Sequence, residues 1–157
     1  MQENKQLAKF YEFILDLGLE LSILDELGVI IKKSRYVFAT TPEIRLYMEE
    51  LSTDFFSIGL PLGEIKKDFL PTPALIEFLS NHSTKKVVVD KKSEWMFLCK
   101  KDIFTKGVKK ILTKKNRGRV FVQNEFDENL GIASFSEKGN VLLKNILDKG
   151  AYIRKEA

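Results

Sequence analysis

Residues 86–123 read KVVVDKKSEWMFLCKKDIFTKGVKKILTKKNRGRVFVQ, and the way this stretch is broken up decides the fold. Short apolar runs at 86–89, 96–98 and 119–123 are separated by lysines, Gly107 and Gly118, and only 103–112 suits a helical turn. Strands this short, divided by turn-formers, assemble into a small mixed sheet or barrel. The rhythm continues outward through 130–135, 141–143 and 151–154. A regular strand–helix alternation is missing, as is any repeat with a period of about 20 to 50 residues.

The same stretch is strongly basic. Residues 100–119 carry nine Lys and Arg against the single acid Asp102, with Phe97, Phe104 and Phe121 interleaved. Lysines and arginines neutralise phosphates, and exposed aromatics stack unpaired bases, so this segment has the ingredients of a nucleic-acid footprint. The formal charge of the whole chain, +4, implies little about partners. Split near residues 80–84, a polar Ser-Asn-His-Ser-Thr seam, it becomes informative: residues 1–84 carry 8 Lys and Arg against 13 Asp and Glu, and residues 85–157 carry 18 against 9. We therefore read two domains, an acidic one over 1–84 and a basic one over 85–157.

Upstream of the seam, Leu7, Phe10, Tyr11, Ile14, Leu15 and Leu17 recur at helical spacing. The β-prone runs 29–33 and 35–40 around Ser34 suit a hairpin, and Thr41-Pro42 and Thr72-Pro73 each open a helix with proline in its first turn. Runs at 55–60 and 63–69 read as strands divided by Pro61, with Gly59 and Gly63 at a bend. The first domain is thus an α+β unit, an antiparallel sheet packed with helices. Its acidic helix residues Glu43, Glu49 and Glu50 are candidates for contact with a protein partner.

Several chemistries find no support in the residues. With one cysteine and one histidine, the chain can form neither an internal disulfide nor a His-rich metal site. Cys99 reads as a buried strand residue and His82 as a solvated loop residue, so neither suggests a nucleophile and its base. No Gly-rich phosphate loop or dinucleotide fingerprint occurs. Adjacent acids such as Asp127-Glu128 do not face one another, and the acids of the basic half show no spacing suited to two-metal nuclease chemistry. No apolar run approaches the roughly 20 residues of a membrane span, and the N-terminus is polar, which favours a cytoplasmic protein.

At this point the wording of the chain is recognisable. Lys86-Val87-Val88-Val89, Glu94, Phe97-Leu98 and Lys106-Gly107-Val108 through Ile111 resemble the join between the N-terminal and PUA domains of the Nip-seven family, which serves in large (60S-type) ribosomal subunit biogenesis. Ser57-Ile58-Gly59, Gly63-Glu64-Ile65-Lys66, Ala74-Leu75, Phe78-Leu79 and Leu130-Gly131 add to the likeness, and 148–154 looks like the family's closing D-x-G-x-Y-x-R strand. The chain departs from the pattern at Cys99-Lys100-Lys101, where a glycine is usual, at Asn129, where proline is common, and at Ala133, where glycine is common. The first fifty residues match in layout only, and the divergence and lysine-rich composition look archaeal rather than eukaryotic.

The resemblance implies a PUA-type β-barrel-like second domain that binds RNA, no catalysis, no cofactor, and a role in pre-rRNA processing; a eukaryotic member would be nucleolar. The RNA-contacting set then comprises Lys101, Lys106, Gly107, Lys109, Lys110, Lys114, Lys115, Arg117, Arg119, Lys144, Lys149, Arg154 and Lys155, with Gly107 allowing close backbone approach. Partners would be rRNA or pre-rRNA and ribosome assembly factors or ribosomal proteins, contacted by a monomer away from any membrane. The alternative is an accessory subunit that presents RNA to a tRNA- or rRNA-modifying enzyme.

Overall fold

The computed structural model describes residues 6–51, 54–137 and 139–156, the side chains of Lys155 and Glu156 excepted. The chain divides into two compact units, one of residues 1–15 and 19–79, the other of residues 16–18 and 80–157. Both mix helix with sheet, giving the α+β class expected from the sequence.

In the first unit, helix α1 (Ala8–Asp16) is followed by a 3-10 turn (Leu21–Glu26), strands β1 (Val29–Lys32) and β2 (Tyr36–Ala39), helix α2 (Pro42–Leu51), and strands β3 (Leu60–Ile65) and β4 (Phe69–Pro71). The strands form an antiparallel sheet in the order β1-β2-β3-β4. The helical spacing of Phe10, Phe13 and Ile14 puts all three on the buried side of α1. There Phe69 of β4 meets Phe10 edge-on, with ring centroids 4.9 Å apart, and Phe13 at 5.2 Å. Pro61 lies inside β3 rather than dividing two strands. A bulge leaves Leu62 without a partner between the pairs Phe38↔Pro61 and Val37↔Gly63, and a bulge is where a strand tolerates proline.

Helix α3 (Pro73–His82) opens after Thr72, whose hydroxyl accepts the Leu75 N–H, and buries Leu75, Ile76 and Leu79. His82 sits on its last turn, exposed, and not in a loop.

The second unit continues with β5 (Lys86–Val89), helix α4 (Lys91–Leu98), β6 (Ile103–Phe104), a 3-10 turn (Thr105–Gly107), β7 (Val108–Leu112), β8 (Arg119–Gln123), β9 (Asn129–Phe135), β10 (Val141–Asp148) and helix α5 (Gly150–Glu156). Six strands in the order β6-β10-β9-β8-β5-β7 make one sheet curled into a half-barrel, antiparallel except for the β5–β8 pair. Val87, Val89, Phe97, Ile103, Val120, Val122, Leu130, Ala133 and Leu143 form its core.

Two local expectations give way here, for 96–98 and 151–154, and a third is met. Residues 96–98 are helical, because Asp90 caps a helix that delivers Phe97 into the core. The 103–112 stretch does hold a helical turn, the 3-10 turn at Thr105–Gly107, set between β6 and β7, and β7 finds a partner in β5. The closing 151–154 run is helical and not a strand, because β10 already extends to Asp148 and Gly150 begins a new direction.

Candidate nucleic-acid interface

Helix α4 and the segment 104–107 are bound to each other by local chemistry. Asp90 stands at the helix N-cap in extended conformation, and its Oδ1 accepts the Ser93 N–H at 2.7 Å. That bond is the main reason the Asp90 carboxyl is held below the usual carboxylate range, with further help from Lys109 and Lys92. The Asp90 N–H in turn donates to the Gly107 carbonyl at 2.9 Å. Gly107 is buried, and a Cβ placed there would meet Ser93 Oγ at 1.9 Å. Its lack of a side chain therefore lets the 3-10 turn lie against α4; the close approach expected toward RNA is made toward protein instead.

Between these elements runs a groove of about 880 Å³. Met96 and the 40%-exposed Phe104 give it apolar surface, Ser93, Thr105 and Asn140 give it polar groups, and Lys92 and Lys106 stand at it. Thr105 is fixed by hydrogen bonds from its N–H and hydroxyl to the Asn140 carbonyl, at 3.0 and 3.3 Å. On β7 a bulge leaves Lys109 unpaired between Val88↔Lys110 and Val89↔Val108, and Lys109 and Lys110 are both exposed. A bulge interrupts the strict alternation of a strand, so two successive lysines reach solvent on this sheet edge. An apolar-walled cleft edged with lysines suits a polyanion that also offers flat apolar faces, a description that fits a nucleotide chain.

The other expected contact residues fall into three groups. Lys101, Lys114, Lys115, Arg117 and Lys144 are exposed, the middle three on the connection between β7 and β8. Lys149 is half-buried, and the Lys155 side chain lies outside the described residues. Arg119 and Arg154 are engaged within the unit. Arg119 donates to Asp16 Oδ2 from both its guanidinium, at 3.0 Å, and its backbone N–H, at 3.2 Å. Arg154 reaches both oxygens of the buried Asp148 at 3.1 Å and also the Leu98 carbonyl. Lys85 donates to the Asp16 carbonyl at 2.7 Å; burial pushes its pKa down, Asp16 opposes this and Arg117 adds to it.

Of the interleaved aromatics, Phe97 and Phe121 are fully buried and Phe104 alone is accessible. Cys99 is exposed at the C-cap of α4, not buried in a strand. Among the described residues, no three His, Cys, Asp or Glu side chains gather as a metal site, and no helix is long and apolar enough to cross a membrane.

Sequence reading missed Lys92 and Met96 of the groove, together with the exposed Trp95, because 96–98 read as a strand. Asp90 followed by Lys-Lys-Ser-Glu was the available helix-start signal.

In the first unit, Glu43, Glu49 and Glu50 all lie exposed on α2, a helix with no buried residue. Glu43 serves the helix start: hydrogen bonds from the Thr41 hydroxyl and its own N–H keep its carboxyl below the usual range. Beside the acids, Ile44, Leu46, Tyr47 and Leu51 are exposed apolar residues.

Comparison with known proteins finds similarity for most of the second unit. Residues 85–157 match the family model described as UPF0113 PUA domain. A "UPF0113 protein" from Archaeoglobus fulgidus is 31% identical over 107 residues, a stretch that spans 62% of this chain and 62% of that relative. In fold, the chain is similar to a structure described as that of a conserved PUA domain protein from Thermoplasma acidophilum, with a TM-score of 0.55 and 16% identity over 97% of this chain and 95% of that one. The six-stranded sheet and the groove described above thus lie within the residues that match the PUA domain model.

Proposed function

We propose that the protein binds RNA through the groove between α4 and residues 104–107, and that it does so as a non-catalytic assembly factor. The observation that carries this reading is the convergence of Lys92, Lys106 and Lys109 on the Asp90–Gly107 corner of a PUA domain, around a cleft with apolar walls. The exposed Lys101, Lys110, Lys114, Lys115, Arg117 and Lys144 extend the positive field. Affinity is then mainly electrostatic, each phosphate contact adding ~0.7 to ~0.9 to the log–log salt slope. Filter binding of the full chain to U-rich and rRNA-derived RNA at several salt concentrations tests this. Affinity falling steeply with salt is expected, and undetectable or salt-insensitive binding overturns it.

The resemblance to the Nip-seven family supports the finer reading, large-subunit maturation with rRNA as the ligand. Crosslinking in cells checks it: enrichment of rRNA supports it, and enrichment of tRNA favours the RNA-presenting accessory subunit. A protein partner for the acidic first unit is supported by α2, where acids stand beside exposed Ile44, Tyr47 and Leu51. Helix-face substitutions such as Tyr47→Ser should abolish co-purification of assembly factors while leaving RNA affinity intact.

A further inference from the structure

We infer that Trp95 is a base-stacking platform, through which the protein prefers unpaired to base-paired RNA. The inference rests on the RNA-binding reading and adds to it a ligand class and a residue. Trp95 is the sole tryptophan of the chain and is 71% exposed. Its helix does not need it for packing, because Ser93 and Phe97 are the buried residues of α4. With 3.6 residues per turn, Lys91 and Lys92 precede Trp95 by four and three positions and share its face.

The acids of this helix are turned elsewhere. Asp90 holds the Ser93 N–H, and Glu94 Oε1 accepts from Asn124 Nδ2 at 3.2 Å. The indole therefore stands on a cationic face of α4, one turn after Lys91 and Lys92, and Lys92 also lines the groove.

That combination favours nucleic acid over a protein surface: the lysines attract phosphates, and the indole offers an apolar plane matching the face of a base. Only an unpaired base can use it. In a duplex, each base face is already covered by its stacking neighbours, so the indole finds no partner and phosphate attraction alone remains. Trp95 thus converts a charge-driven grip into one that discriminates between strands.

Because Trp95 is the sole tryptophan, emission of the intact protein reports on this site directly. Titration with a single-stranded oligouridylate and with a duplex of equal length is expected to quench emission with the single strand, in parallel with binding, and little with the duplex. Trp95→Ala should weaken single-strand binding between about fivefold and a hundredfold and spare duplex binding, while Trp95→Phe retains most of the affinity. Circular dichroism of the variants should be unchanged. Salt-dependent single-strand binding with unaltered emission and full affinity in Trp95→Ala overturns the inference and leaves RNA binding standing. Equal losses for single strand and duplex also overturn it, and absence of any RNA binding defeats both readings.

Discussion

Ser93 Oγ lies 1.9 Å from the point a Cβ on residue 107 would occupy, so a serine at 93 requires glycine at 107. Gly107→Ala should destabilise the second unit by about 1–3 kcal/mol. Adding Ser93→Ala should recover part of the loss, since it removes the 1.9 Å clash and leaves Ser93 Cβ at 3.0 Å, a tight contact that a shift of a few tenths of an ångström relieves. Urea unfolding of the two variants checks this, and equal midpoints would show that the contact is not the cause.

The Asp90 cap gives a pH signature. Its carboxyl is held below the usual range in the folded protein by the Ser93 N–H, so the cap contributes fully above the pKa of an unfolded aspartate, about 3.9. The contribution fades as pH falls through the lower folded-state value. Asp90→Ala should cost about 1 kcal/mol at neutral pH, and the gap to the parent protein should close in strong acid. Denaturation midpoints across pH measure it; a gap that widens in acid would contradict the assignment.

Helix α4 ends in a Schellman arrangement, with Lys101 N–H donating to the Met96 carbonyl and Lys100 N–H to that of Phe97. Lys100 at its centre has φ of +64°, a left-handed conformation that suits glycine. Lys100→Gly should raise stability by about 0.5–1 kcal/mol, read as a higher melting temperature, whereas Lys100→Ala should give no such gain.

Two kinds of cation should separate in one experiment. Lys106→Gln and Lys92→Gln should each lower the salt slope of RNA binding by ~0.7 to ~0.9. Arg119→Gln and Arg154→Gln should hardly move that slope. Arg154→Gln strands Asp148, which is only 2% exposed, and should cost about 1–3 kcal/mol of stability. A slope reduced equally by all four would mean that the ion pairs open to reach RNA.

How much of this was legible beforehand follows from what each residue answers to. Short apolar runs bounded by turn-formers announced β8 and β9, whose residues are buried in succession rather than alternately, as in strands covered on both faces. Charge counts alone pointed to the basic half, without showing which of its cations share a face. Helix α4 was not legible from apolar periodicity: five of its eight residues, Lys91, Lys92, Ser93, Glu94 and Trp95, fit a helix only once the cap at Asp90 is recognised. Charge counts could not separate Arg119 and Arg154 from the accessible lysines either, since Asp16 lies 103 residues from Arg119 in sequence and Asp148 reads as one more surface acid. A cation's availability depends on its neighbour in space.

The membership of Asp16, Leu17 and Gly18 in the second unit bears on how such a chain can be dissected or recombined. Leu17 supplies a carbonyl to the Ser83 hydroxyl, and Asp16 serves Lys85 and Arg119. A fragment cut out at residue 85 would leave behind its own counter-charge, freeing two cations that the intact protein keeps occupied. Such an excised piece should grip RNA more tightly and less selectively than its parent, so it is a biased stand-in for the whole; the halves are not interchangeable cassettes, whatever their charge difference suggests.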